Sequence, residues 1–139
     1  MATTFPDLAG TRWRGNAELW VDPLGDQVER SECTLAVEDG SVRYTWSREG
    51  KDQQGSVAVR ADAAEFEDSW HQPQPMRCRL LEEAWGLFQA EGRYGPEGDW
   101  GWRIALCFRV PTSELVLQMT NIAPWGEEAR AVRMVCQRV

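Results

Sequence analysis

Histidine and clustered cysteines are scarce in this sequence, and that scarcity limits the metal chemistry it can support. Cys33, Cys78, Cys107 and Cys136 are scattered along 139 residues, with no C-x-x-C pair. The one histidine, His71, is not at ligand spacing from any of them. A zinc site needs clustered ligands, so we predict no metal site. The N-terminus MATTFPDLAG has no basic stretch followed by an apolar run, so no export signal is expected. We therefore predict reduced, partly buried cysteines in a cytoplasmic protein.

Positive charge is also in short supply. The net charge is -7 and the sequence pI is about 4.8. Nucleic-acid binding requires a basic face that replaces phosphate counterions, and anionic membranes attract basic segments, so the charge argues against both partners. No apolar run is long enough for a membrane-spanning helix. At 15.8 kDa, residues 1–139 are expected to form one domain with a single core.

The segment 99–110, DWGWRIALCFRV, has the clearest strand pattern in the chain. Its large apolar side chains occupy alternate positions, which is the period of a strand with one apolar face. Similar alternation recurs along the chain between short turns such as Asp39-Gly40. A sheet that no helices cover usually closes on itself. The sequence therefore predicts an all-β fold, a closed or nearly closed up-and-down antiparallel barrel of about eight to ten strands.

Two polar segments are predicted to interrupt the strands. Arg48–Gly55 has the composition of a turn, and the prolines of Gln72–Pro75 are expected to end the strand Glu65–His71, because proline cannot donate to a ladder. The interval Pro75–Leu87 is the only candidate for a helix. It lacks a cap and a helical apolar stripe, so a strand is preferred there.

The segment Leu8-Ala9-Gly10-Thr11-Arg12-Trp13 resembles the start of the calycin superfamily, the lipocalin and fatty-acid-binding barrels. Those barrels have a glycine shortly before a strand tryptophan, although the spacing here is G-x-x-W rather than G-x-W. The resemblance implies a lipocalin-like barrel in which a basic residue of the last strand covers Trp13. Arg138 is the expected partner by its terminal position, with Arg133 as the alternative.

Three further segments, DSWHQ, DWGWRI and MTNIAP, are similar to those of a bacterial domain family of uncharacterised function with lipocalin-like barrels. This resemblance extends over most of the chain. It implies a fold and no activity.

Asp68 and His71 are the candidate catalytic residues. Asp68 shares a strand face with Phe66 and Trp70, where a carboxylate needs a partner. It could bind the polar end of a ligand or, with a raised pKa, act as a general base. The structural alternative is an internal hydrogen bond to a tryptophan N–H or to Asn121. His71 could be a solvated rim residue, a proton carrier or an axial haem ligand.

The aromatic side chains predicted to point inward could form a cup for a small apolar or planar molecule. The alternative is that these rings contact one another and leave no space. Arg103 is expected on the outer face, unless a bulge at Gly101 turns it inward as an anion clamp. The candidate ligand-binding residues are Tyr44, Trp46, Asp68, Trp70, Trp100, Trp102, Met119 and Asn121.

Three functions are compatible with these observations. The preferred one is a non-enzymatic barrel that holds a small apolar or aromatic molecule and no cofactor, with haem as the alternative cofactor. The second is a small enzyme that uses Asp68, with or without His71, on an apolar substrate. No Ser/His/Asp order, nucleophile elbow or H-E-x-x-H motif is present. The third is a filled barrel that acts through its surface, as a homodimer or interaction module, with Trp20 and Trp125 exposed.

Overall fold

The computed structural model describes residues 3–82 and 86–139 and forms a closed antiparallel barrel. Each strand pairs with its neighbours in sequence, and the last strand pairs with the first. The prediction of an all-β, up-and-down barrel is therefore confirmed, at the upper limit of the expected strand number. The strands are β1 (Arg12–Trp20), β2 (Val28–Glu38), β3 (Ser41–Arg48), β4 (Lys51–Arg60), β5 (Ala63–Asp68), β6 (Gln72–Leu80), β7 (Phe88–Tyr94), β8 (Trp100–Arg109), β9 (Glu114–Ile122) and β10 (Glu128–Arg138).

One end of the barrel, which we call the plug end, is covered by the segment before β1. A short 3₁₀ turn, Pro6–Leu8, brings Leu8 into the core. The Phe5 ring packs edge-on against Phe88 with centroids 5.2 Å apart. We call the opposite end the aromatic end. It carries the turns at residues 21–27, 49–50, 69–71, 95–99 and 123–127.

The centre of the barrel is filled by inward-facing side chains. A side chain that borders a void large enough for a water molecule has solvent-accessible surface facing that void. A side chain with no accessible surface therefore borders no such void. The large side chains with 0% exposure are Val42, Val57, Phe66, Ile104, Leu106, Leu115 and Leu117. A ligand of this barrel therefore has to lie toward one of its ends.

The predicted turn at Arg48–Gly55 is wrong. The turn consists of Glu49 and Gly50, both with positive φ, and β4 begins at Lys51. Its polar first half pairs residue by residue with β3. Backbone hydrogen bonds to an established neighbour form a strand here despite side chains of low β propensity.

The prediction that Gln72–Pro75 ends a strand without belonging to one is also wrong. β6 begins at Gln72 and includes Pro73 and Pro75. Proline is tolerated in a strand where no neighbour needs its N–H, and β7 pairs with β6 only at Arg79 and Leu80. The second half of the helical candidate interval includes residues 83–85, which lie outside the described residues. Among the residues that are described, no helix has the length and apolar character needed to cross a membrane.

Candidate functional site at the aromatic end

Asp68, the last residue of β5, lies inside the barrel, with 2% of its surface exposed. Its Oδ2 atom accepts hydrogen bonds from Tyr44 Oη at 2.5 Å and from Trp46 Nε1 at 3.4 Å. Its Oδ1 atom accepts the backbone N–H groups of Trp70 and His71, both at 2.8 Å. The internal bond to a tryptophan N–H is therefore present. The carboxylate joins β3 to the turn between β5 and β6.

The pKa values of this group indicate a structural anion. Burial raises the pKa of the Asp68 carboxyl, but the His71 imidazole, the Tyr44 hydroxyl and the His71 backbone N–H together lower it by more. Burial and the adjacent Asp68 charge raise the pKa of Tyr44 well above its ordinary value, so Tyr44 remains a donor. A carboxylate that acts as a general base near neutral pH needs a raised pKa, which is the opposite direction. These contacts favour the structural interpretation of Asp68 over the catalytic one.

His71 turns back into the barrel and is enclosed by three indole rings. Its ring centroid lies 5.7 Å from that of Trp46, 4.6 Å from Trp70 and 5.1 Å from Trp102. We call these four side chains the indole enclosure. His71 Nδ1 lies 3.3 Å from Asp68 Oδ1, which is within ion-pair distance but outside hydrogen-bond geometry. Only 11% of the His71 side chain is exposed. Nε2 makes no hydrogen bond and, unlike Nδ1, keeps some accessible surface.

Trp102 carries an N–H group without a partner. The residue is 6% exposed, and its Nε1 atom is buried with no hydrogen-bond acceptor. The ring stacks against Phe66 at 6.0 Å and meets Tyr94 edge-on at 6.2 Å. Leaving such a donor unpaired costs about 1–3 kcal/mol. An acceptor supplied by a ligand or by water would remove this cost.

The remaining predicted ligand-binding residues line the β8–β9 side of the same end. Asn121 is buried, accepts a hydrogen bond from Tyr94 Oη and donates one to the Pro23 carbonyl at 3.0 Å. It does not contact Asp68, which was one of the expected pairings. Met119 is part of the filled core. Trp100 lies at the rim, half-buried between Tyr94 and Trp125.

Sequence reasoning missed two members of this site. Tyr94 is not among the predicted site residues, but it ends β7 and contacts both Trp102 and Asn121. The signal was available, because Ala90, Gly92 and Tyr94 continue one alternating face. Arg48 was also missed. Its guanidinium lies 5.3 Å above the Trp70 ring, and the sequence separation of these two residues gives no indication of this contact.

The tryptophans predicted at the surface behave differently from each other. Trp125 is 66% exposed, as expected. Trp20 is only 7% exposed, because the Arg130 guanidinium covers its ring at 4.7 Å. The prediction that Trp20 is exposed is therefore wrong. Trp70 is 38% exposed and, with Leu24, adds apolar surface to the same end as Trp125.

The predicted cation–π pair at the plug end is not formed. Arg138 is the cross-strand neighbour of Trp13, but its side chain is exposed. Trp13 Nε1 donates to Thr11 Oγ1 at 2.9 Å, and the ring meets Phe108 edge-on at 6.1 Å. In residues 3–82 and 86–139, the arginines that cover tryptophan rings are those over Trp70 and Trp20 described above. The alternative, Arg133, lies instead 3.9 Å from Glu18.

Arg103 lies on the outer face, as alternation predicts. Its guanidinium binds both carboxylate oxygens of Glu128, at 2.8 and 3.1 Å, and its Nε lies 3.5 Å from Glu91. Hydrogen bonding to Glu128 raises the pKa of Arg103. The guanidinium is therefore engaged by carboxylates and does not form an inward anion clamp.

The described part of the chain has no group of three or more His, Cys, Asp and Glu side chains arranged to hold a metal ion. The packing around His71 does not fit a porphyrin inside the barrel, because indole rings surround the imidazole and the central side chains have no accessible surface. Comparison with protein-family models gives no match, and a search of curated proteins finds no similar sequence. The functional argument therefore rests on the geometry of the aromatic end.

Proposed function

We propose that this barrel binds a small planar aromatic molecule at the indole enclosure. The observation that carries the proposal is the buried, unpartnered Nε1–H of Trp102 next to His71, whose Nε2 keeps some accessible surface. His71 Nε2 offers a nitrogen that can donate or accept. The Trp102 N–H is sealed from solvent, so it becomes a donor to the ligand when the surrounding rings move apart to admit it. A ligand with an acceptor group on an aromatic ring matches both the polar atoms and the rings around them.

The ligand would contact the outer side of the enclosure, because the centre of the barrel is filled. Trp70 is the most exposed of the three indoles and stands at the entrance. Each additional ring contact of favourable geometry contributes about 0.5–1.5 kcal/mol. We infer a binding protein and not an enzyme, because Asp68 is saturated by four donors and its pKa is lowered.

The test begins with native mass spectrometry of the protein as purified, followed by unfolding. A released aromatic mass would support the proposal. A released mass and an absorption spectrum that match a haem would overturn it. The purified protein is then titrated with anilinonaphthalenesulfonate while tryptophan fluorescence is recorded.

Variants locate the binding site within the aromatic end. We expect Trp70→Ala and His71→Gln to weaken binding about tenfold, which corresponds to about 1.4 kcal/mol. Trp125→Ala is the matched control, because it removes an exposed indole at the same end outside the enclosure. Absence of saturable binding, or an equal loss in Trp125→Ala, would contradict the proposal.

Self-association through the aromatic end is the second candidate function. Three of the exposed large apolar residues, Leu24, Trp70 and Trp125, lie on turns at this one end. Two copies facing each other would bury all three. Sedimentation velocity over a wide concentration range tests this, and Trp125→Ala should weaken any dimer. A monomer at every concentration would exclude this candidate.

A further inference from the structure

The barrel has a gap between β6 and β7 on the side toward the aromatic end. The ladder between these strands consists of Arg79↔Glu91 and Leu80↔Ala90, and it stops there. Residues 72–78 of β6 and residues 92–94 of β7 have no ladder between them. A groove of about 520 Å³ lies on the outer surface at this gap.

The sequence of β6 explains why pairing stops. Leu81, just after β6, donates its backbone N–H to the carbonyl of Gln89 in β7, whereas Leu80 donates in the opposite direction, to the carbonyl of Asp62. Backbone groups alternate in direction along a strand, so odd-numbered positions of β6 direct their N–H toward β7. Pro75, next to the paired residue Met76, occupies such a position, and Pro73 lies within the register irregularity between Gln72 and Met76. Neither proline has an N–H to donate.

The charges on the two strands also oppose closure. Continuing the register from Arg79↔Glu91 would place Arg77 directly opposite Arg93. Like charges at directly opposed positions destabilise a strand pair. Both residues belong to the positions whose backbone N–H groups point into the gap. Two prolines without N–H groups and two arginines of like charge thus account for the missing strand pairing.

These arginines have no carboxylate partner. Neither Arg77 nor Arg93 forms a salt bridge with the described residues, although six other arginines do. Glu65, the β5 neighbour of Arg77, is not bound to it, and Glu91 interacts with Arg103 across β7 and β8. Asp62 is the remaining acid in the groove. Arg79, which also lines the groove, forms no salt bridge within the described ranges of the chain either, so an acidic protein keeps three guanidinium groups without a carboxylate partner there beside one opening.

The floor of the groove is narrow and apolar. Gly92 and Cys78 lie there, and a Cβ on Gly92 would come within 2.3 Å of Met76 Sδ and 2.9 Å of Cys78 Sγ. Cys78 cannot serve as an anionic group, because burial raises its pKa to about 11. A ligand in the groove thus meets neutral sulfur and glycine below, with guanidinium and backbone N–H donors at the sides.

We propose that Arg77 and Arg93 bind a phosphate-type oxyanion in the gap between β6 and β7. Guanidinium groups bind phosphate through parallel N–H···O bonds, and the unpaired backbone N–H groups of both strands add donors. The oxyanion replaces the missing strand pairing by bridging the two arginines. This site is separate from the indole enclosure, so either proposal can fail without affecting the other.

The test is heteronuclear NMR of the arginine Nε–Hε and backbone amide groups during titration with inorganic phosphate at constant ionic strength. We expect saturable shifts at Arg77 and Arg93. Arg77→Gln and Arg93→Gln should each weaken binding about tenfold. Arg14→Gln is the matched control, because Arg14 is exposed, makes no salt bridge and lies on β1, away from the gap. Circular dichroism confirms that each variant is folded.

A parallel titration with phenyl phosphate distinguishes a free anion from an organic phosphate. Equal affinities would show that the oxyanion alone is recognised, and tighter binding of phenyl phosphate would show that the organic part also contacts the groove. Shifts that do not saturate would overturn the proposal. An equal loss of affinity in Arg14→Gln would overturn it as well, since that would indicate general charge screening.

Discussion

Replacing Asp68 by asparagine isolates the value of one carboxylate at the aromatic end. Asparagine keeps the size of the side chain but has one acceptor oxygen in place of two. If that oxygen accepts the two backbone N–H groups at 2.8 Å, the amide NH₂ faces Tyr44 Oη and Trp46 Nε1. Tyr44 Oη can accept from the amide, but its own hydrogen then has no acceptor, and Trp46 Nε1 can only donate. One buried hydroxyl and one buried indole N–H then lose their acceptor.

The expected loss of stability is about 3 kcal/mol. The hydrogen bond from Tyr44 to a charged oxygen contributes about 1.5–3 kcal/mol, and the longer bond from Trp46 contributes about 0.5–1 kcal/mol. Water cannot replace the carboxylate at Tyr44, because that side chain is almost fully buried. For a chain of this size, the loss corresponds to a Tm about 10 °C lower.

Urea unfolding followed by circular dichroism measures the difference between the wild-type protein and Asp68→Asn. Asp52→Asn is the matched control, because Asp52 is exposed on β4 and makes no hydrogen bond or salt bridge. Its effect should remain within about 0.5 kcal/mol. If Asp68→Asn is as mild as Asp52→Asn, the four contacts do not stabilise the fold and the reasoning is refuted.

Two further predictions concern pH and the glycines. The pKa of Asp68 is lowered in the folded state, so its contribution to the free energy of unfolding is fully present above the unfolded pKa of about 3.9 and is lost as the pH falls through the folded pKa. The stability difference between the wild-type protein and Asp68→Asn should therefore shrink as the pH falls through that range. A stability difference that is constant with pH would contradict the lowered pKa. Gly15→Ala should cost more than about 3 kcal/mol or prevent folding, because its Cβ would lie 1.9 Å from the Val135 carbonyl oxygen, which belongs to the backbone. Gly92→Ala should cost less in the same urea assay, because its closest neighbour is the flexible Met76 side chain, and equal losses would refute the distinction.

The strand pattern could be read from the sequence wherever apolar side chains alternate. β8 is the clearest case, since Trp102, Ile104 and Leu106 point into the core as their spacing predicts. β4 could not be recognised over its first half, because those residues are polar and their strand conformation comes from pairing with β3. The start of β6 was missed for a related reason. The rule against proline assumes a neighbouring strand on the N–H side, and here that neighbour does not pair.

The site was predicted as a set of residues but not as an arrangement. Tyr44 and Trp46 are more than twenty residues from Asp68 in sequence, and the register of three strands brings them together. The inward position of His71 depends on a turn in which Asp68 accepts two following N–H groups. That local pattern is common for aspartate and could have been proposed. The unpaired Trp102 N–H could not, because it depends on what surrounds the ring.

The sequence by itself determined that this chain forms an all-β barrel. Each alternating segment has one apolar face that must be buried, and without helices to cover those faces the sheet closes on itself. It also determined the residue types available for binding at the aromatic end. Only the tertiary structure decided that the centre is filled, that four hydrogen-bond donors surround the Asp68 carboxylate, and that a gap opens beside Arg77 and Arg93. The physical reason is that periodicity specifies the direction of a side chain, whereas register, closure and packing decide what that side chain meets.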